Sequence, residues 1–389
     1  SSRVIDGAVA GVGNLPIAAG WSMADTYITR VGVETDRNGD NYSLIHPHKF
    51  RLVLNGVGYQ LNPVGGGAVG QEDFYVVGAP DIRVRRIYHV DPMQDGVENN
   101  SDGIYWFVQT GDGVTYRLGF MDQSEEYHRI LIPEPGKLGG DFDLTGSPFI
   151  EAPGRDNDIS AFGWYVDTVT DLYGNQMQYD YYNHVETLYG CPRGDNCSFN
   201  FKHEHHRVRI KSIRYNFSQL ASLNANSLPA LGPNHDRLEN STFATEIQFH
   251  TRNSAAPYHS NSAIQNILVF HGADHSQPIR EIRIESENRT PPTTTNCTNN
   301  NGVAFTNTTR VVTQIQEWVG TDSDPYVQDT AGAYWLPPVT FDYIPLANDF
   351  NNNTPPINPC FEYYRLDHVD NGYGGTVDFT YQLDEARST

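Results

Sequence analysis

Three stretches of this sequence carry side chains that could bind or react. Phe201 to His206 reads Phe-Lys-His-Glu-His-His. On a strand, His203 and His205 share a face and could hold a transition metal, but two imidazoles without a thiol or a third ligand leave the shell incomplete. Histidines exposed at a strand entrance are the plainer expectation. Asp36, Asn38 and Asp40 stand at alternate positions and could turn oxygens toward calcium as EF-hand loops do. The later bidentate acid of such a loop is missing, so an ordinary polar turn competes with the calcium reading. Between Cys191 and Cys197 lies Arg193-Gly194-Asp195. Closed by a disulfide, that turn would present a guanidinium beside a carboxylate, the pair that integrin-type adhesion receptors read.

Nothing else in the chain has the spacing of a reaction centre. There is no nucleophile elbow, no phosphate-cradling glycine loop and no Cys/His zinc spacing. Acids such as Glu125-Glu126 and Asp141 with Asp143 are plentiful, yet glycoside chemistry needs two carboxylates at a set separation across a cleft. The expectation is a non-catalytic protein with no cofactor, calcium at the 36–40 loop being the one candidate ion. A formal charge of −21 opposes phosphate backbones and anionic lipid surfaces, which argues against nucleic-acid binding and membrane adsorption. No apolar run is long enough to insert in a membrane.

The 4 cysteines, Cys191, Cys197, Cys297 and Cys360, allow three pairings or none; Cys191 with Cys197 would close a small loop and Cys297 with Cys360 a long one. Asn-x-Ser/Thr sequons stand at Asn41, Asn99, Asn196, Asn216, Asn240, Asn288, Asn296, Asn307 and Asn352. Disulfides and glycans together point to an extracellular protein.

The elements that must position these residues are strands. Trp164 to Thr170 and Gln176 to Tyr181 alternate with period two around Gly174-Asn175, which predicts a hairpin with one aromatic face. With Asn55-Gly56 as a type I′ turn, Phe50 faces Leu61, Leu52 faces Tyr59 and Leu54 faces Val57. Trp106 and Val108 lead into Thr110-Gly111-Asp112-Gly113, and Val114, Tyr116, Leu118 and Phe120 lead out, a further hairpin. The parity of Val208 and Ile210 differs from that of Ile213 and Tyr215, so a β-bulge is expected at Ser212. More strands are read at 243–249, 264–270, 279–285, 311–319, 339–344, 361–369 and 376–381. The 12% aromatic content, with 35 Gly and 23 Pro, suits such a loop-rich β protein; only 218–228 reads as a short helix.

The fold expected is therefore all-β, a large antiparallel meander of hairpins forming a curved sheet. Residues 1–20, small and nearly uncharged, read as an extended arm able to add as a strand to a neighbour's sheet edge; 21–389 form one β domain, with a Gly/Pro/Asp-rich seam at 133–155. The Pro/Thr/Asn stretch 290–309 reads as a solvated excursion.

A family resemblance follows from the order of motifs. Val169-Thr170-Asp171, Gly174-Asn175 and Tyr179-Asp180-Tyr181 resemble one YD unit of RHS/YD-repeat proteins. With Gly20-Trp21-Ser22, Asn55-Gly56-x-Gly58, Gly111-Asp112-Gly113 and Asp370-Asn371-Gly372-Tyr373-Gly374-Gly375, the series is similar to the N-terminal region of insecticidal toxin-complex B components and plasmid virulence B proteins. That resemblance implies an extracellular structural segment of a shell enclosing a polypeptide, with partners among its own copies or other segments of the assembly, and chemistry located elsewhere. The alternative is an adhesin or glycan-binding module using the Arg193-Gly194-Asp195 loop or an aromatic surface.

Overall fold

The computed structural model describes residues 26–30, 50–64, 70–88, 103–133, 149–151, 159–190, 201–220, 238, 241–251, 264–272, 278–289, 297–298, 304–305, 309–319, 334–347 and 362–381. The first strands are β1 (Tyr27–Arg30), β2 (Phe50–Leu54), β3 (Val57–Pro63), β4 (Gln71–Val76), β5 (Arg83–Tyr88), β6 (Ile104–Gln109), β7 (Thr115–Leu118), β8 (Glu125–Pro133) and β9 (Phe149–Glu151). The long central strands are β10 (Ile159–Thr170), β11 (Gln176–Gly190) and β12 (Phe201–Phe217). Beyond them run β13 (Phe243–Thr251), β14 (Ile264–His271), β15 (Pro278–Arg289), β16 (Cys297–Thr298), β17 (Ala304–Phe305), β18 (Thr309–Val319), β19 (Tyr334–Trp335), β20 (Val339–Ala347), β21 (Glu362–Asp370) and β22 (Thr376–Asp378). All but β16 and β17, which pair with each other, belong to one 20-stranded sheet. Its pairings are antiparallel throughout, and the only helical turn among the described residues is a 3-10 turn at Asp122–Ser124.

Strands β1 to β7 pair in sequence, with one exception: β1 and β7 both pair with β10 as well. Tyr27 to Thr29 lie against residues 163–165 of β10, and Thr115 to Leu118 against residues 166–170, so the ladder closes on itself. The interior of this circuit is an aromatic core. Phe50, Phe74, Trp106 and Trp164 meet with ring centroids 4.8–5.9 Å apart, mostly edge to face, as the ring quadrupoles favour. Arg86, from β5, lays its guanidinium over three of these rings and pairs with Glu72 on β4 at 2.6 Å.

From β10 the sheet continues through β11, β12, β13, β14, β15, β18, β20 and β21 to β22. One face of this arm carries a second core of Tyr165, Tyr181, Ile210, Phe249, Ile284, Val312 and Phe341. The two cores meet at β10, which gives Trp164 and Val166 to the first and Tyr165 to the second.

The all-β expectation and nearly every strand read from the sequence are observed. The Asn55-Gly56 hairpin has the register expected from its turn, with φ of 50° and 80° at those residues. The bulge falls one residue from its expected place: Asp180 opposes Ser212 and Tyr181 opposes Ile210, so Lys211 is the extra residue. The central hairpin departs from the expectation of a single aromatic face. Asp167 and Gln178, on its polar side, are both fully buried, Asp167 because β10 is covered on both faces. Across the seam, β9 pairs back onto Leu131–Pro133 of β8. The 290–309 stretch holds the small β16–β17 hairpin.

Asp167 is buried because it is saturated. Arg117 Nε donates to its Oδ1 at 2.7 Å, Thr168 Oγ1 donates to the same atom at 2.9 Å, and the Phe120 amide donates to Oδ2 at 2.9 Å. Asp167→Ala leaves a buried guanidinium without its carboxylate and should destabilise the protein by about 3–5 kcal/mol in urea denaturation. The double replacement Arg117→Met with Asp167→Leu, which removes both charges, should recover most of that loss.

Candidate interaction surface

One local structure recurs three times in the sheet. Its turns are Thr110–Val114, Asp171–Asn175 and Asn371–Gly375, and in each the first residue's N–H donates to the last residue's carbonyl at 3.0 Å. The fourth position is a glycine with φ of 84°, 84° and 87°, a conformation that a Cβ would strain. Asp171 Oδ1 accepts from the amides of Tyr173 (2.8 Å) and Asn175 (2.9 Å), and Asn371 Oδ1 accepts from those of Tyr373 (2.9 Å) and Gly375 (2.9 Å). The side chain thus satisfies the amides that the turn leaves unpaired.

The same distance beyond each turn an aromatic ring closes the hairpin. Tyr181 donates its hydroxyl to Val166 O at 2.5 Å, and Tyr381 donates to Leu366 O at 2.6 Å, each 15 residues back. In the 104–120 hairpin the equivalent residue is Phe120, which has no hydroxyl; its ring meets Tyr105 edge to face at 5.0 Å. The 362–381 hairpin thus repeats the 164–181 hairpin in geometry. The shared sequence pattern is Asn/Asp-x-Tyr-Gly followed by Tyr/Phe-x-Tyr, with Asn371 in place of Asp171 and Thr380 in place of Asp180.

The copies differ in what covers them. Tyr181 is 7% exposed, whereas Tyr381 is 44% exposed, and Tyr373, Val377 and Phe379 also face solvent. Between this last hairpin and strands β15, β18 and β20 lies an open groove of about 240 Å³, lined by Ile282, Ile315, Leu336 and Val339 with Tyr373 at its rim. At the far side of the same hairpin His368 Nδ1 and Asp378 Oδ1 lie 2.7 Å apart, joining β21 to β22. The hydrogen bond to Asp378, helped by the charges of Asp378, Asp342 and Asp370, raises the His368 pKa.

The residues with candidate chemistry are distributed otherwise. Arg193, Gly194 and Asp195, the 36–40 loop with Asp36, Asn38 and Asp40, and Cys191, Cys197 and Cys360 lie outside the described residues, as do the sequons at Asn41, Asn99, Asn196, Asn240, Asn296, Asn307 and Asn352. The backbone of Cys297 opposes Phe305 in the β16–β17 hairpin. Asn216 sits at φ 59° and donates its amide to Thr245 Oγ1 at 3.2 Å; Asn288 is exposed on β15. His206 is buried rather than exposed, stacked on Tyr127 at 4.0 Å because the two oppose each other in the β8–β12 register. Among the described residues no group of three or more His, Cys, Asp or Glu could hold a metal ion. Nor is any helix among them long and apolar enough to cross a membrane.

Buried and half-buried acids are tied to neighbours. Glu126 accepts from the Tyr165 hydroxyl at 3.1 Å, and Asp180 accepts from Arg214 at 2.8 and 3.0 Å. Burial pushes the Glu281 carboxyl above its usual range, against the pull of Arg283 at 3.3 Å.

No family model matches the sequence, and no curated protein matches it. Solved structures do. The TcdB2-TccC3 structure is similar at 13% identity over 86% of this chain and 15% of that one, with a TM-score of 0.47. The Photorhabdus luminescens Tc holotoxin pore is similar at 12% identity over 86% of this chain and 14% of that one, TM-score 0.45. The N-terminal domain of effector protein SpvB from Salmonella typhimurium strain LT2 is similar at 12% identity over 95% of this chain and 92% of that one, TM-score 0.35. The chain thus spans about one seventh of the toxin-complex chains it matches.

Two measurements probe this surface. Tyr181→Phe strips a buried carbonyl of its donor and should cost about 1–3 kcal/mol in urea denaturation, whereas Tyr381→Phe, where water replaces the hydroxyl, should cost less than about 0.5 kcal/mol. Because His368 is raised above its unfolded value, its clasp is at full strength below about pH 6.5 and is lost as pH rises through the higher folded value. Protection of the amides at residues 376–378, relative to their intrinsic exchange rate at each pH, should therefore fall across that window, and His368→Gln should abolish that fall.

Proposed function

We propose that this chain is a structural, non-catalytic extracellular β protein of the RHS/toxin-B type, a wall-forming subunit that works by self-association or as part of a larger casing. One observation carries the reading: a single hydrogen-bonded sheet runs from a closed circuit at β1–β7 and β10 to an uncovered hairpin at β21–β22. A ladder of this kind propagates curvature and presents an edge on which more sheet can form. The cross-strand charge pairs support the same reading, since Asp167 and Asp180 are committed to Arg117 and Arg214 on neighbouring strands and hold strands together. The order of motifs along the sequence adds to it. The chain carries out no reaction of its own and needs no cofactor.

Electron micrographs of the material from its native source should show filaments or hollow casings, and a broad hydrolase screen should show no turnover. Dispersed monomers in those micrographs, or turnover in the screen, would refute the proposal.

A further inference from the structure

We infer that Glu281 of β15 keeps a proton and donates it from Oε2 to Asn266 Oδ1 of β14, so that a neutral carboxyl fastens the middle of the sheet and releases it as pH rises. This joint lies inside the sheet, so it is independent of the wall reading and of what the sheet's edges meet. Register puts the two side chains on one face. Asn266 lies directly opposite Arg283 and Leu268 directly opposite Glu281, which makes Asn266 and Glu281 diagonal neighbours, a spacing that a long side chain spans. The other face of the same strands belongs to Ile267 and Ile282, which pack on the second core. Glu281 is 1% exposed. Arg283 Nη2 donates to its Oε1 at 3.3 Å and stacks its guanidinium on Trp335. Glu281 Oε2 and Asn266 Oδ1 remain, both buried, and neither has a hydrogen-bond partner among the described residues.

Two buried acceptors facing one side of the sheet with no donor between them are satisfied by a single proton. An ionised carboxylate here would keep its charge in the interior against one arginine and leave an oxygen bare, which is costly. A neutral carboxyl turns Oε2 into a donor, and Asn266 supplies the acceptor. A proton also needs no room of its own, whereas a metal ion would have to open one and would meet the Arg283 charge. Burial raises the Glu281 pKa in the same sense, against the pull of Arg283.

The described groups around Glu281 leave this balance in place. On β15 the same face carries Arg283 and the exposed Glu285. Strand β14 brings Asn266 and Leu268 to that face, β18 brings Gln316 and Trp318, and β19 brings Trp335, none of which ionises. On β13, one strand further, stand His250, opposite Asn266, and Glu246, opposite Phe270. Burial holds His250 below its usual range. Because the folded value of Glu281 lies above that of a free glutamate, 4.5, the stability due to its proton is whole below about pH 4.5 and is lost as pH rises through the folded value.

The test follows the glutamate carboxyls of the full chain by carbon NMR across pH, with Glu281→Gln as the reference that subtracts His250, His368 and every other titrating group. One glutamate should titrate above the ordinary range and be missing from Glu281→Gln. In urea denaturation Glu281→Gln, whose amide donates from the same place at every pH, should gain on the wild type as pH rises, about tenfold in the folding equilibrium constant for each unit of pKa shift. Asn266→Ala, which takes the acceptor from the neutral carboxyl, should lower the midpoint. If the Asn266 amide is instead turned round to donate to an ionised carboxylate, the wild type shows no raised midpoint, and the inference is overturned. A midpoint that Asn266→Ala leaves unchanged or raises overturns it too, as does a Glu281→Gln protein that fails to fold or loses ground to the wild type as pH rises. None of these results bears on the micrographs that test the wall reading.

Discussion

A strand covered on both faces must satisfy the polar groups it carries, and β10 is that strand here. It offers one edge to β7 and β8 in succession and the other to β11 and β1. Its alternate side chains enter two different hydrophobic cores, so neither face is left for water. The one acid in its centre, Asp167, can stay there only because a guanidinium, a hydroxyl and an amide converge on it. The Arg117–Asp167 pair therefore sits where the closed circuit and the open arm are joined, and ties the register of one to that of the other.

The recurrent hairpin explains how the sheet grows outward from that junction. Each turn fixes its own register through a glycine at positive φ, and in the 171–175 and 371–375 turns the first residue's short polar side chain caps the turn amides. Each aromatic residue beyond the turn then ties the second strand back to the first, by a tyrosine hydroxyl in two copies and by a ring contact in the third. Because both devices are local, the unit can be repeated without a long-range instruction. What varies between copies is the covering strand, and with it the exposure of otherwise equivalent tyrosines.

The charge pattern belongs to the same logic. Acids outnumber bases by 47 to 26, and several described arginines are spent on cross-strand pairs such as Arg85–Asp73, Arg86–Glu72 and Arg214–Asp180, or on aromatic rings. Planar guanidinium groups bond carboxylates and stack on rings at once, which suits the crowded surface of a pleated sheet better than lysine does. Arg283 over Trp335 at 4.5 Å, with Glu281 at 3.3 Å, shows both uses in a single side chain.

Strand positions, the Asn55-Gly56 register and the slip near Ser212 were legible in the sequence, because period two and turn chemistry act between residues a few positions apart. The β4 and β5 strands were not, since Arg83-Val84-Arg85-Arg86-Ile87 breaks the apolar pattern and is rescued by acids on its neighbour. The burial of Asp167, Gln178 and His206 could not be read either, for each depends on a strand distant in sequence arriving on its second face. Sequence alone determined that this chain is a series of antiparallel hairpins with tyrosine-rich faces. Only the tertiary structure decided that the hairpins close on β10, that one of them is left bare and which side chains lie inside, because solvent exposure is set by contacts across the sheet and not by alternation along a strand.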